Sequence, residues 1–231
     1  MKRRDDVTLC LTMGKRPEEL TKTLKSLLAR QSFGRVIAIN DFRDEATNKA
    51  FLDVCPDGEL ICLDRQLGHH AAVDYMYRKV TTPYVFHCED DWLFNDQLDL
   101  DKAIDLLNAL PEATQVCFRD LQDCYLSDEE KLLAKKCSAQ GVDYYRIDHL
   151  HPQWYGFTFN PNVFRLDLWR QLGGFSAFKK ERHISRKLRS SGRYTVYLAP
   201  GPCAHIGDGV SVSIEPKWQD KLKAKLLAWR S

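Results

Sequence analysis

The sequence contains no C-x-x-C pair, no run of eighteen apolar residues, no internal repeat and no low-complexity tract. Its eight cysteines are scattered, so no paired-thiol motif is present to argue from. Cys10, Cys62, Cys88 and Cys117 fall inside apolar runs, where a reduced thiol packs as a small hydrophobe, and a reducing cytosol fits best. The missing apolar run excludes a membrane-spanning helix. Met1–Asp6 leads into a short strand rather than the apolar core of a signal peptide, so a cytoplasmic chain is expected. Net charge is only +2, which selects no partner, and no RNA- or DNA-binding motif accompanies the basic stretches. No linker rich in Gly, Pro or Ser breaks the 231 residues, so a single domain over 1–231 is expected, with ample material for one core.

What is present is an acidic stretch at the end of an apolar one. Pro83-Tyr84-Val85-Phe86 reads as a buried strand, and His87-Cys88-Glu89-Asp90-Asp91-Trp92 follows it. Three carboxylates at the carboxyl end of a strand would face the crevice where open α/β sheets place ligands. Their repulsion is relieved by a divalent cation, since hard oxygen donors suit Mg²⁺ or Mn²⁺. The plainer alternative is a solvated acidic turn capping the next helix.

The chain around this stretch alternates strand and helix. Val7–Thr12 is a strand, Gly14 turns the chain, and Pro17 opens a helix with Leu20, Leu24, Leu27 and Leu28 on one face. Arg35–Asn40 is a second strand with Asp41 at its carboxyl end, followed by a helix near Glu45–Leu52. Glu59–Leu63 is a third strand, leading through Arg65 and Gly68 to a helix over about His69–Lys79. This alternation predicts an α/β fold with a mostly parallel sheet, in which Thr12, Asp41, Gly68 and Asp91 converge. The second half is less regular. A helix near Leu98–Leu110 and a strand Gln115–Phe118 precede a polar stretch, 119–149, read as an insertion or lid. Gly156–Asn160 is strand-like, Val163–Leu172 helix-like, Gly173-Gly174-Phe175 a turn, Glu181–Ser191 a basic helix and Tyr194–Leu198 a strand.

In this order the motifs resemble the GT-A-fold glycosyltransferases, close to the large family 2 of inverting enzymes, over roughly Val7 to Gly209. Thr12 ends the first strand, Asn40-Asp41 stands where relatives carry paired acids, and Leu67-Gly68 with Ala71-Ala72 resembles their Gly and Ala segment. Glu89-Asp90-Asp91 occupies the place of the D-x-D motif, Gly173-Gly174-Phe175 matches a characteristic turn, and Glu181, Leu188, Gly192 and His205 follow in register. Asp41-Phe42-Arg43-Asp44 lacks the usual Gly-Ser, Glu181-Arg182 replaces a Glu-Asp pair, and the metal motif has three contiguous acids.

The resemblance implies a GT-A, Rossmann-like sheet with a donor-binding half at about 7–95 and an acceptor-side half at about 96–210. It implies transfer of a sugar from a nucleotide-diphosphate donor, in the first instance a UDP-sugar, to an acceptor hydroxyl with inversion. Asp91 and His205 would hold Mn²⁺ or Mg²⁺. Thr12, Asp41, Arg65, Gly68, His69, Glu89 and Asp90, with Asp91, would contact the donor. Glu181 would be the general base, and Trp154 and Tyr155 would wall the acceptor. For each, a structural role stands beside the functional one: turn or cap for Thr12, Asp41 and Glu181, core packing for the two aromatics, and a satisfied structural histidine for His205. Lys179–Arg193 is basic, and Pro216–Arg230 interleaves Trp and Leu with Lys, a pattern compatible with peripheral contact with an anionic membrane and a lipid-linked acceptor as well as with packing on the domain. A glycan acceptor is equally allowed. Two other classes compete: a silent nucleotide-sugar-binding module, and a sugar nucleotidyltransferase. For the latter, Gly14-Lys15-Arg16 is too sparse a Gly-rich loop.

Overall fold

The computed structural model describes residues 3–207, so the amphipathic stretch Pro216–Arg230 lies outside the described residues. The chain runs β1 (Arg3–Met13), α1 (Pro17–Leu28), β2 (Ser32–Asn40), α2 (Glu45–Val54), β3 (Glu59–Cys62), α3 (His69–Tyr77), β4 (Tyr84–Glu89), β5 (Trp92–Phe94), α4 (Leu100–Ala109) and β6 (Ala113–Cys117). It continues with α5 (Asp128–Leu132), β7 (Lys135–Ala139), β8 (Val142–Arg146), β9 (Asn162–Arg165), α6 (Leu166–Leu172), α7 (Glu181–Arg189), β10 (Tyr194–Leu198) and β11 (Cys203–His205). A nine-stranded sheet has the order β3-β2-β1-β4-β9-β6-β10-β8-β7, and β5 pairs with β11 apart from it.

Strands β3, β2, β1 and β4 are parallel. Both faces of this part are covered, which explains why its strands read as near-continuous apolar runs. Successive side chains alternate between the faces. From β1, Val7, Leu9, Leu11 and Met13 pack with α1 (Leu20, Leu24, Leu27), Phe51 of α2 and α4 (Ala103, Leu106, Leu107). Cys10 points the other way, toward Val73, Met76 and Tyr77 of α3, Leu168 of α6, and Ile184 and Leu188 of α7. The order reverses at β1: the chain first winds outward through β2 and β3, then returns to place β4 on the opposite side. That reversal opens a crevice at the carboxyl ends of β1 and β4, the place where such sheets bind ligands.

Three expectations are corrected in the second half. Residues 119–149 are no lid: after a short 3-10 turn and α5, β7 and β8 form a hairpin that extends the main sheet by pairing with β10. Residues 156–160 form no strand. They are an irregular segment whose polar groups serve neighbours: Gly156 N–H donates to the Ser185 hydroxyl (2.7 Å), and Thr158 O accepts from the Gln115 side chain (3.0 Å). The helix expected over Val163–Leu172 begins only at Leu166. Asn162–Arg165 is a strand inserted antiparallel between β4 and β6, and its short apolar run, Val163-Phe164, suits a buried strand as well as a helix.

Candidate active site

The acidic stretch divides among three environments. Glu89 is the last residue of β4 and lies beside Thr12 in register. Asp90 and Asp91 form the turn into β5, and α1 fastens that turn: the Thr23 hydroxyl donates to Asp90 O and accepts from Trp92 N–H, both at 2.9 Å. The Asp90 side chain accepts the Gly14 N–H at 2.8 Å. Gly14 is required there, because a Cβ would fall 2.0 Å from the Phe42 ring. Burial pushes the Asp90 carboxyl up to about 7, helped by Asp91, while the Gly14 N–H and Arg16 pull it down. Glu89 is raised well above the usual carboxylate range by burial, then by Asp91, Glu181 and Asp90. Burial is the main physical cause for both, and mutual repulsion among the acids adds to it.

His205 reaches this turn through the small second sheet. β11 runs antiparallel to β5, and the register sets His205 opposite Trp92, next to Asp91. Ile206 N–H donates to Asp91 O at 2.9 Å, and His205 N–H donates to Asp123 Oδ2 at 3.0 Å. His205 Nε2 comes to rest 3.0 Å from Asp91 Oδ2. Gly207 closes over the pair: a Cβ there would lie 2.7 Å from His205 Cε1 and 2.8 Å from Asp91 Oδ2. Arg16 Nη1 also bonds Asp91 Oδ2 and lies 3.8 Å from Asp90 Oδ1. The donor set, one carboxylate and one imidazole, suits a divalent cation of the Mn²⁺ class that takes its other positions from phosphate and water. Among the described residues there is no group of three or more His, Cys, Asp and Glu side chains that could hold a metal ion.

Glu181 is the first residue of α7. Burial pushes its carboxyl up to about 7, against hydrogen bonds from the Thr158 side chain and the Phe159 backbone N–H. Its charge also raises the Glu89 carboxyl, behind burial and Asp91. The Phe159 ring makes an edge contact with His69, centroids 4.5 Å apart. Desolvation, and secondarily His70, push the His69 imidazole down, an effect tempered by the exposure of His69 at the start of α3.

The remaining sequence candidates are placed as follows. Both carboxylate oxygens of Asp41 accept backbone N–H groups, Leu67 at 2.7 Å and Gly68 at 2.8 Å, so Asp41 shapes the start of α3. Gly68 caps that helix with a φ of 85°, and the space where its Cβ would stand is open. Any other residue would be strained there. Arg65 is exposed and lines a groove along α3 with Asp64, Asp74, Tyr75, Arg78 and Ser176, a groove that none of Glu89, Asp90 and Asp91 lines. Tyr155 packs edge-on to Tyr197, with ring centroids 6.4 Å apart. Trp154 is half-exposed, and its carbonyl accepts from Arg189 at the far end of α7 from Glu181. The helix has nine residues, so its two end residues lie roughly 12 Å apart at a rise of 1.5 Å per residue.

Two residues outside the expected site contribute to it, and each carries a sequence signal. Arg16 is the N-cap of α1 and makes no capping hydrogen bond. A cation at the positive end of a helix is unfavourable, so its placement beside acids is the informative feature. Asp74, buried inside α3, is a charge in an apolar helix face.

No family model matches the chain, and no curated protein matches it in sequence. Among solved structures it is similar to the mannosyltransferase PcManGT from Pyrobaculum calidifontis in complex with GDP-Man and Mn²⁺, with a TM-score of 0.59, 18% identity, and coverage of 99% of this chain and 65% of that one. It is also similar to S. aureus TarS 1–349, with a TM-score of 0.56, 12% identity, and coverage of 83% and 59%. The chain therefore spans somewhat under two thirds of the length of both. At this identity the likeness is one of fold, and the mostly parallel, helix-flanked sheet is of the GT-A type expected from the sequence.

Proposed function

We propose that this protein is a metal-dependent glycosyltransferase that moves a sugar from a nucleotide-diphosphate donor, a UDP-sugar in the first instance, to an acceptor hydroxyl with inversion. The observation that carries the reading is the pairing of Asp91 with His205 at the end of β4, beside the raised carboxyls of Glu89 and Asp90. Asp91 and His205 stand 3.0 Å apart, and Glu181, its carboxyl pushed up to about 7, acts on Glu89 of the same acidic stretch.

Asp91 and His205 are the residues that would hold Mn²⁺ or Mg²⁺, and a bound ion would stabilise the charge that develops on the departing diphosphate. The chain's own groups account for the rest. Thr12, Glu89 and Asp90 border the donor at the strand ends, Asp41 fixes the loop that presents Gly68, and His69 offers a hydrogen bond at the start of α3. Glu181 takes the proton of the acceptor hydroxyl as that oxygen bonds the anomeric carbon. The bond from that carbon to the diphosphate breaks, and its electron pair leaves with the nucleotide. A carboxylate with a pKa near 7 is suited to accept a proton at neutral pH.

The exposed face of α7 supports an anionic acceptor surroundings. Arg182, Arg186 and Lys187 are exposed on the helix that begins at Glu181. A lipid-linked acceptor at an anionic membrane, approached from the cytoplasmic side, is the favoured class, with a soluble glycan as the alternative. No helix among the described residues is long and apolar enough to cross a membrane.

The deciding experiment is release of nucleoside diphosphate from a panel of UDP- and GDP-sugars, with and without Mn²⁺, together with product NMR. Metal-dependent release with an inverted linkage is expected. Metal-independent release or a retained linkage overturns the mechanism. Donor binding without release under every acceptor tried favours a silent binding module.

A further inference from the structure

Asp91 Oδ2 is crowded. It takes the Arg16 guanidinium and the His205 Nε2 together, although it is also the oxygen best placed to ligate a cation beside that histidine. A cation and a guanidinium cannot both occupy the same lone pairs. The pair is well shielded: the side chains of Arg16, Asp90 and Asp91 are 14%, 8% and 7% exposed. Its electrostatics are therefore felt more strongly than those of a surface ion pair. Arg16 is also out of place as structure, being a cation at the N-cap of a twelve-residue helix with no capping bond. The preceding Lys15 is held in the left-handed region at φ 63°, with its N–H bonded to Asp44 Oδ2 at 2.9 Å. The turn that aims Arg16 is thus tied down from both sides, by Asp44 and, through the Gly14 N–H, by Asp90.

We propose that Arg16 is an exchangeable counter-ion of this site: it competes with a divalent cation for Asp91 and, once displaced, binds the diphosphate of the donor. The inference rests on the transferase reading for its ligand but concerns a residue which that reading does not use. The exchange conserves charge. The guanidinium gives up one carboxylate and gains the phosphate oxygens that arrive with the cation, for which its planar fork of donors is suited. It follows that cation and nucleotide assist one another, because the nucleotide offers Arg16 a new partner and so lowers the cost of freeing Asp91. Arg16 should therefore oppose cation binding in the absence of nucleotide and favour nucleotide binding in its presence.

The test is direct binding on the full chain, with no need for turnover. Mn²⁺ is titrated by its electron paramagnetic resonance signal, and UDP and GDP by calorimetry with and without Mn²⁺, for the parent and for Arg16→Met, which keeps length and loses charge. Removal of one member of a close charge pair is expected to tighten Mn²⁺ alone by about tenfold and to weaken the nucleotide in the presence of Mn²⁺ by a similar factor. Arg16→Lys, a cation without the fork, should keep most of the Mn²⁺ opposition and lose part of the nucleotide affinity. Circular dichroism establishes folding, and Arg16→Gln replaces the Met variant if that one does not fold. Unchanged or weaker Mn²⁺ binding in the neutral variant, or unchanged nucleotide binding, overturns the exchange while leaving the transferase reading intact. A parent chain that binds neither Mn²⁺ nor either nucleotide overturns both.

Discussion

The carboxylate of Asp74 accepts the backbone N–H of Phe175 at 2.7 Å, joining α3 to a turn 101 residues further along the chain. The same carboxylate takes the Trp169 indole N–H at 2.7 Å and the Ser176 N–H at 2.8 Å. One helical turn earlier, His70 Nδ1 lies 2.7 Å from Phe178 O. α3 therefore holds the whole stretch from Gly173 to Phe178, and that stretch delivers Glu181 to the cleft. Gly174, at φ 92°, is the point of closest approach, where a Cβ would sit 2.8 Å from Asp74 Oδ2.

Asp74→Ala leaves two backbone N–H groups and an indole without their acceptor. At about 1–3 kcal/mol for each unmet buried group, relieved in part by water, a total loss of about 3 kcal/mol is expected. Asp74→Asn, which keeps one acceptor oxygen, should lose less. Urea unfolding measures both, and a loss below about 1 kcal/mol for the Ala variant would show that the turn holds by itself.

Asp91→Asn removes the carboxylate charge from the candidate cation site. Turnover should fall by about 10²-fold or more at every Mn²⁺ concentration, while the far-ultraviolet spectrum is unchanged. Nucleoside diphosphate release across an Mn²⁺ titration provides the measurement, and parent-like turnover would remove Asp91 from the site.

His205→Ala should raise the Mn²⁺ concentration needed for half-maximal activity by a smaller factor, since carboxylate and diphosphate remain. Gly207→Ala should act in the same direction without replacing a ligand, because its Cβ would press on both Asp91 and His205. Parent-like Mn²⁺ titrations for both variants would return His205 to a structural role beside Trp92, whose ring it meets at 5.1 Å.

Glu181→Gln keeps the size of the side chain and cannot accept a proton. A loss of about 10² to 10⁴ in kcat is expected with donor affinity nearly unchanged. A base must be ionised to act, so parent activity should fall about tenfold per pH unit below about 7, and this limb should be absent from the residual activity of the Gln variant. A parent profile flat through pH 6 would assign the base elsewhere.

The same group makes a prediction about stability that is independent of turnover. Between about 4.5 and about 7 the folded chain keeps a proton on Glu181 that the unfolded chain releases. Stability therefore declines as pH rises through that window. Glu181→Gln, neutral throughout, should melt higher than the parent at pH 8, with the difference shrinking toward pH 4.5. Equal pH dependence of the two melting curves would show that Glu181 titrates as an ordinary surface carboxyl.

The sequence by itself determined the local units and their order. Apolar runs with period two, leucines at helical spacing, Pro17 at a helix start and glycines at turns are local physics, and they place β1 to β4, α1 to α4, α7 and β10 within a few residues. They also determine that Asp41, Gly68 and the acids after β4 gather at one sheet edge, since parallel strands joined by helices all end on the same side. Tertiary structure decided what no local pattern encodes. Val163-Phe164 is a strand because a gap between β4 and β6 awaited hydrogen-bond partners, and 119–149 extends the sheet because β10 offered a free edge. His205 meets Asp91 only through the pairing of β11 with β5, a contact across 114 residues. Arg16 and Asp74 acquire their meaning in the same way: a charge reads as surface until the fold shows which buried groups it faces, and that depends on long-range packing rather than on the residues beside it.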